Sequence, residues 1–425
     1  MGLHITKGRL YALLRFTERY TRTDMVYLAK GGFWFTLGQV FATLASLISV
    51  IAFANFVDPS VYGSYRYVLS IAALLAIPTM AGSTAAVIRA VAKGLEGAYT
   101  ACLKDRLYGG VLGAVAGLGF ALYTFSNGNI ELAVAILLAS LFVPVMEAYA
   151  LYDSVLQGKR DFRRSSVFSV WSQIFAVSTT LVVLYVYPNL IALVLSYFGA
   201  WTLARIIATI VTLRRHPLND VADPVAIPYA RHLTVMGILP TLSNYLDRLL
   251  LFSISGPIAV AQYSISLAAT EQIKGFFKTF GSLALPSYSN RSYREAVTGV
   301  AHKSMLLFAI TIVIAILYCI FAETLFAFVF PAYTDAVIYS QLFALSIPTA
   351  VGFLPNAIFQ ANAMTRQLYI LTTAGAIGQI LFLLAGAFYA GIFGIILARI
   401  VMRYLLLIGT YIMLFQAAPP KHGQA

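Results

Sequence analysis
The residues of this chain whose types and spacing could do chemistry are ionisable side chains set inside apolar runs. Glu271, Lys274 and Lys278 are spaced i, i+3, i+7, which places all three on one face of a helix. Arg399 and Arg403 follow at i, i+4, and Arg205 stands alone in another apolar run. Asp247 with Arg248, Glu147 and Asp153 complete the set. An ionised group near mid-bilayer costs at least ~2.5–3.5 kcal/mol on insertion scales, so it faces a partner or a water-filled cavity. Glu271 with Lys274 has two readings: a neutral pair that only joins helices, or part of a substrate site. Asp247 and Arg248 lie toward the end of their run, where an interfacial, structural role is expected. Lys278, Arg399 and Arg403 have no acid one turn away on their own helices. The bases in these runs, Arg248 included, outnumber the acids Glu147, Asp153, Asp247 and Glu271. The expectation is a cationic cavity suited to an anionic headgroup such as a pyrophosphate. Lys274, Lys278, Arg399, Arg403 and Arg205 would hold that headgroup, and Glu271, Asp247, Glu147 and Asp153 would serve ion coupling or salt bridging.

The elements that must position these groups are membrane helices. With 60% hydrophobic and 11% charged residues and a mean hydropathy of +0.82, a soluble reading is excluded. The net charge of +13 sits in short loops between apolar runs, which points to topology and anionic lipid rather than nucleic acid. Each crossing needs about 20 apolar residues. The apolar runs divide into twelve crossings, beginning near Gly31, Val68, Arg106, Glu131, Ser166, Leu190, His232, Ala259, Ser304, Asp335, Leu368 and Gly391. Of the 29 lysines and arginines, 22 then fall on one side, most densely at Lys159-Arg160-Asp161-Phe162-Arg163-Arg164, six lie within the runs, and only Arg66 falls on the other side. Basic loops stay in the cytoplasm, so both termini are expected inside a plasma (inner) membrane. The segment His4 to Tyr20 reads either as an amphipathic helix on the anionic inner surface or as a basic tail.

The long polar stretch from Arg214 to Arg231, with Pro217, Pro224 and Pro228, divides the runs into six and six. Sliding one half onto the other sets Pro59 on Pro257 and Tyr65 on Tyr263, while Ala72 meets Thr270. The expected fold is therefore an all-α membrane protein of about twelve transmembrane helices in two six-helix bundles with a central cavity. Its units are a cytoplasmic N-terminal segment (1–30), a first bundle (31–213), a linker (214–231), a second bundle (232–416) and a cytoplasmic tail (417–425).

What the chain lacks also narrows its function. It has no G-x-x-x-x-G-K-[ST] loop, so that route to ATP hydrolysis is closed. Cys102 and Cys319 fall in different elements and form no disulfide framework, and the five histidines lack metal-ligand spacing, so no cofactor is expected. A membrane enzyme acting on lipid-linked sugars would present a sizeable outer loop with catalytic charges. Here the outer side offers only Asp58, Arg66, Glu323 and Asp335. Movement of a substrate is therefore favoured over reaction with it. Tyr245 and Tyr288 are two of many tyrosines that could stack on a sugar ring.

Four segments carry a resemblance. Val57-Asp58-Pro59-Ser60-Val61-Tyr62-Gly63-Ser64-Tyr65 resembles the outer turn of polysaccharide (Wzx-type) flippases. So do Gln157-Gly158-Lys159-Arg160-Asp161-Phe162, Asn244-Tyr245-Leu246-Asp247-Arg248-Leu249-Leu250 and Val260-Ala261-Gln262-Tyr263-Ser264, in order along the whole chain. These flippases share a superfamily with multidrug exporters and lipid II flippases. The resemblance implies a V-shaped cavity that alternates access and carries polyprenyl-pyrophosphate-linked oligosaccharide from the inner to the outer leaflet. Partners would be that lipid-linked glycan, membrane lipids and glycan-assembly enzymes. Lipid II flippases usually have fourteen crossings, and this chain has room for twelve. Multidrug exporters often rely on a carboxylate in the first crossing, and Gly31 to Val57 contains none. A cation-coupled drug or metabolite antiporter is the alternative within the superfamily.

Overall fold
A computed structural model describes residues 25–289, 293–362 and 364–416. The expected amphipathic segment His4–Tyr20, Arg291 and the tail 417–425 lie outside the described residues, as do the side chains of Lys278, Tyr288 and Arg294. Among the described residues every regular element is a helix. These are α1 (Met25–Phe56), α2 (Pro59–Leu75), α3 (Ser83–Ala92), α4 (Gly97–Ser126), α5 (Ile130–Tyr149), α6 (Tyr152–Gly158) and α7 (Phe162–Val186). They continue with α8 (Leu190–Arg215), α9 (Ala226–Ser289), α10 (Tyr293–Val329), α11 (Val337–Ala344), α12 (Phe353–Ala361) and α13 (Thr365–Gln416).

Eight helical spans are long and apolar enough to cross a bilayer, and ten if the bent pairs α2–α3 and α11–α12 each count as one. Each of those pairs bends by 42° at a proline-bearing 3₁₀ turn, Ile77–Thr79 or Ile347–Gly352. Helices α9 and α13, at 64 and 52 residues, are each long enough to cross twice. Gly256 (φ 76°) divides α9 and Gly391 (φ 52°) divides α13, both in backbone conformations that glycine adopts at low cost. The chain is thus a multi-pass membrane protein, with about twelve crossings among the described residues.

Short polar turns become helix starts. The side chains of Asp58, Asn129, Asp161 and Asn189 accept hydrogen bonds from the backbone amides of Ser60, Leu132, Arg164 and Ala192. The first of these corrects a boundary. The sequence reading starts the second crossing near Val68 and leaves Arg66 outside. Asp58 caps the helix and Pro59 occupies its first turn, so Arg66 lies about 10 Å down α2, inside the bundle.

The halves meet at the end opposite the basic loops. Phe53, Tyr62 and Tyr65 share one buried cluster with Ala261, Ile265, Phe326, Phe330 and Tyr333. Tyr67 stacks on Phe252 at 3.8 Å between centroids, and Asn55 Nδ2 donates to the Val329 carbonyl at 2.9 Å. Gly63 lies so close to the α9 break that a Cβ there would sit 1.8 Å from the Pro257 carbonyl oxygen. At the basic end the segment before α9 lies against the first half. Asn219 bonds to Glu96 and to the Gly94 carbonyl, and Asp223 pairs with Arg89 at 2.7 Å.

Candidate functional site: a cationic cavity between the halves
A cavity of about 620 Å³ lies between α2, α5 and α8 of the first half and both limbs of α9 with the second limb of α13. Five arginines line it (Arg66, Arg205, Arg248, Arg399 and Arg403), against two carboxylates, Glu147 and Glu271. At 1.5 Å rise per residue, the groups fall in two tiers. Arg66, Arg248 and Arg399 stand about 10–12 Å from the ends of their helices opposite the basic loops. Arg205, Arg403, Glu271, Lys274 and Glu147 stand about 18–25 Å from those ends.

The lower tier is internally paired. Arg205 Nη1 donates to Glu147 Oε1 at 2.9 Å and to the Met146 carbonyl at 2.8 Å, with its guanidinium 5.2 Å from the Trp201 ring centre. Glu271 takes two cations, Lys274 at 2.5 Å and Arg403 at 2.7 Å. Both cations also donate to Ser346 Oγ at the α11–α12 bend, at 3.2 and 3.0 Å. Glu271 with Lys274 is therefore a three-charge cluster rather than a local pair.

The upper tier is different. Asp247 is fully buried rather than interfacial. It is saturated by Arg399, by the Tyr263 hydroxyl and by the backbone amide of Arg248 at 2.8 Å. Arg399 also donates to the Tyr263 hydroxyl at 2.9 Å. Arg66 and Arg248 form no ion pair with a carboxylate among the described residues. The Nε groups of Arg66, Arg248 and Arg399 are all buried without an acceptor. Buried donors are nearly always satisfied, so three orphans in one tier leave unmet donor capacity beside the cavity. Paired guanidiniums present forked N–H groups that match phosphate oxygens.

Of the groups expected from sequence, Arg205, Arg399, Arg403, Glu147 and Glu271 share this cavity, with Lys274 against Glu271 and Asp247 behind Arg399. Asp153 is elsewhere: it accepts from Gln157 at 2.7 Å and from Ser165, fastening the α6–α7 turn at the basic end. The Lys278 backbone lies about 31 Å along the second limb of α9, below the cavity tiers. Sequence reasoning missed Arg66 and undervalued Arg248. The cap Asp58-Pro59 could have revealed the first. The second follows from Asp247, because successive helical residues point about 100° apart and a buried acid turns its neighbour to an adjacent face. No group of three or more metal-ligating side chains occurs among the described residues.

Residues 28–290 match the family model described as polysaccharide biosynthesis protein. No curated protein matches the chain by sequence. Among solved structures it is similar to the lipid II flippase MurJ in an inward closed conformation. That match has a TM-score of 0.74 and 13% identity, and covers 90% of this chain and 87% of that one. It is also similar to an inward-facing multidrug resistance MATE transporter of the MOP superfamily, at TM-score 0.68 and 16% identity, covering 89% and 94%. A third is a MOP-superfamily transporter from Pyrococcus furiosus, described by the reverse polarity of its binding pocket. It matches at TM-score 0.59 and 16% identity, covering 92% and 96%. These relatives are transporters rather than enzymes, and at such identities they establish the fold alone.

Proposed function
Because the chain belongs to the polysaccharide biosynthesis protein family and has the fold of MOP-superfamily transporters, we propose that it is a lipid-linked oligosaccharide flippase. It carries polyprenyl-pyrophosphate-linked precursors of a surface polysaccharide from the inner to the outer leaflet of the plasma membrane. The observation that carries this reading is the upper tier: three arginines with orphaned donors, two of them in no ion pair among the described residues, at the closed end of a cavity between the halves. Holding uncompensated cations inside a membrane is costly, and an anionic headgroup removes that cost only while it is bound. The polyprenyl tail stays in lipid, while the pyrophosphate and sugars ride in the cavity.

The basic loops set the orientation, with both termini cytoplasmic, by the positive-inside rule. Two six-helix halves, 31–213 and 232–416, rock about the cavity on the linker 214–231. The halves are packed together at the end away from the basic loops, so the cavity serves the cytoplasmic leaflet in this state. The test is translocation of a fluorescent polyprenyl-pyrophosphate oligosaccharide in proteoliposomes. Wild type is expected to move it, and Arg66→Gln/Arg248→Gln to lose at least about tenfold in rate. Failure of folded wild-type protein to move any of a panel of such glycans would overturn the proposal.

A further inference from the structure
Beside and just below the upper tier the cavity wall changes character. Tyr197 and Trp201 are one turn apart on α8, and across from them α9 presents Asn244 and Tyr245. Trp201, Asn244 and Tyr245 lie about 16–18 Å down their helices, one turn below the arginine tier. Two of the rings are held by guanidiniums: Arg205 lies 5.2 Å from the Trp201 ring centre, and Arg248 lies 5.9 Å from that of Tyr245. Arg205 is in turn fixed by Glu147, so the indole is preorganised. Tyr197 packs edge-on against Trp201 at 6.5 Å. The Asn244 carboxamide is exposed and has no hydrogen-bond partner among the described residues, so its donor and its acceptor are both available.

We propose that Tyr197, Trp201, Asn244 and Tyr245 form a pyranose-binding subsite for the sugar attached directly to the pyrophosphate. A pyranose has apolar C–H faces and a rim of hydroxyls. A fixed aromatic face packs against the first, and a carboxamide reads adjacent hydroxyls on the second. The position agrees with the chemistry: a pyrophosphate on Arg66 and Arg248 places its sugar one turn toward the cytoplasmic end. The volume of about 620 Å³ is that of a site for a drug-sized ligand. It holds the headgroup and first sugars and leaves the distal glycan outside, so selectivity resides in the proximal sugar. This inference rests on the flippase reading.

The experiment isolates Trp201 by Trp34→Phe/Trp171→Phe and follows its fluorescence in nanodiscs. The titrants are short-chain polyprenyl pyrophosphate without sugar and a panel of polyprenyl-pyrophosphate monosaccharides. At least one monosaccharide probe is expected to bind about tenfold tighter than the bare pyrophosphate, the size of one aromatic contact with a hydrogen bond. Unlabelled competition, read by microscale thermophoresis, extends the comparison to variants lacking Trp201. There the preference is lost in Trp201→Ala and Asn244→Ala and kept in Trp201→Phe, while affinity for the bare pyrophosphate stays at the wild-type value in all three. Equal binding of bare and sugar-bearing probes by wild type would overturn the subsite and leave the flippase standing. Binding of neither probe by folded protein would overturn both.

Discussion
At the scale of single residues, the arginines in the membrane divide by whether an acid neutralises them. Arg399 belongs to Asp247, which has no exposed surface and no other cation but the adjacent Arg248. Arg399→Met strands a buried carboxylate and is expected to cost about 3–5 kcal/mol. Asp247→Asn/Arg399→Met removes both charges and should recover most of that loss, as thermal unfolding in detergent would show. Arg66 should behave oppositely. With no acid to abandon, Arg66→Gln should leave the unfolding midpoint unchanged or raised while transport falls, since a group kept for binding weakens the empty protein. A lower midpoint in this variant would assign Arg66 a structural role instead. The types and spacing of these residues were legible in the sequence, but their partners were not. Arg399 looks unpaired because its own helix offers no acid one turn away. Its acid lies 152 residues earlier on another helix, beyond the reach of any local pattern.

At the scale of elements, apolar runs and basic loops were sufficient to count the crossings, because a bilayer rewards length and penalises charge in the same way everywhere. The boundary of the second crossing was not, because Arg66 inside a span reads as a loop residue. Breaks such as Gly256 and Ala390–Gly391 were visible as turns between crossings, yet the two 42° bends inside crossings were not. The turn motif ending in Gly63-Ser64-Tyr65 gains a physical role from the fold. Gly63→Ala drives a Cβ into the Pro257 carbonyl oxygen, part of a backbone that cannot rotate away. An overpacking cost of about 1–3 kcal/mol in detergent unfolding is expected. The basic end is held by polar bonds instead. Glu96, in the turn before α4, is buried against Lys159 and the Asn219 amide. Burial would raise its pKa, but the Lys159 ammonium and the Asn219 bond outweigh that and hold it below its usual 4.5. A depressed carboxylate pKa adds stability that is fully present above the unfolded value and is lost as pH falls through the folded one. Wild type should therefore lose stability below about pH 4.5, and Glu96→Gln should be less stable at neutral pH with a flatter acid limb. Unfolding midpoints across pH 3–7 measure both (the range is about that of carboxylate titration).

At the scale of the whole molecule, the contacts at the two ends of the bundle differ in their physics, and this bears on how the halves move. Opposite the basic loops, the contact is apolar and aromatic, with Tyr67 stacked on Phe252 and Phe53 and Tyr62 in one cluster with Phe330 and Tyr333. Such a contact is insensitive to salt and separates only if something repays the exposed area. At the basic end, ion pairs such as Arg89–Asp223 and Arg231–Asp105 tie the start of α9 to the first half, and the more exposed of the two, Arg231–Asp105, is screened by salt. The start of α9 is thus fastened to the half it does not belong to in sequence, while its outer part carries Asp247 and Arg248 into the second half's cluster. In the proposed flippase cycle, rocking requires the apolar seal to open and the headgroup to leave the arginine tier. Joining the halves across that seal should stop the cycle without touching the site. In a protein with Cys102 and Cys319 replaced by alanine, Asn55→Cys and Val329→Cys can be bridged by a short bis-maleimide, since Asn55 already reaches the Val329 carbonyl. The bridged protein is expected to bind the polyprenyl-pyrophosphate probe with unchanged affinity and to translocate none. The same protein carrying each thiol blocked singly should transport normally. Unimpaired transport by the bridged protein would show that the halves do not part at this end, and the substrate would then have to leave by another route.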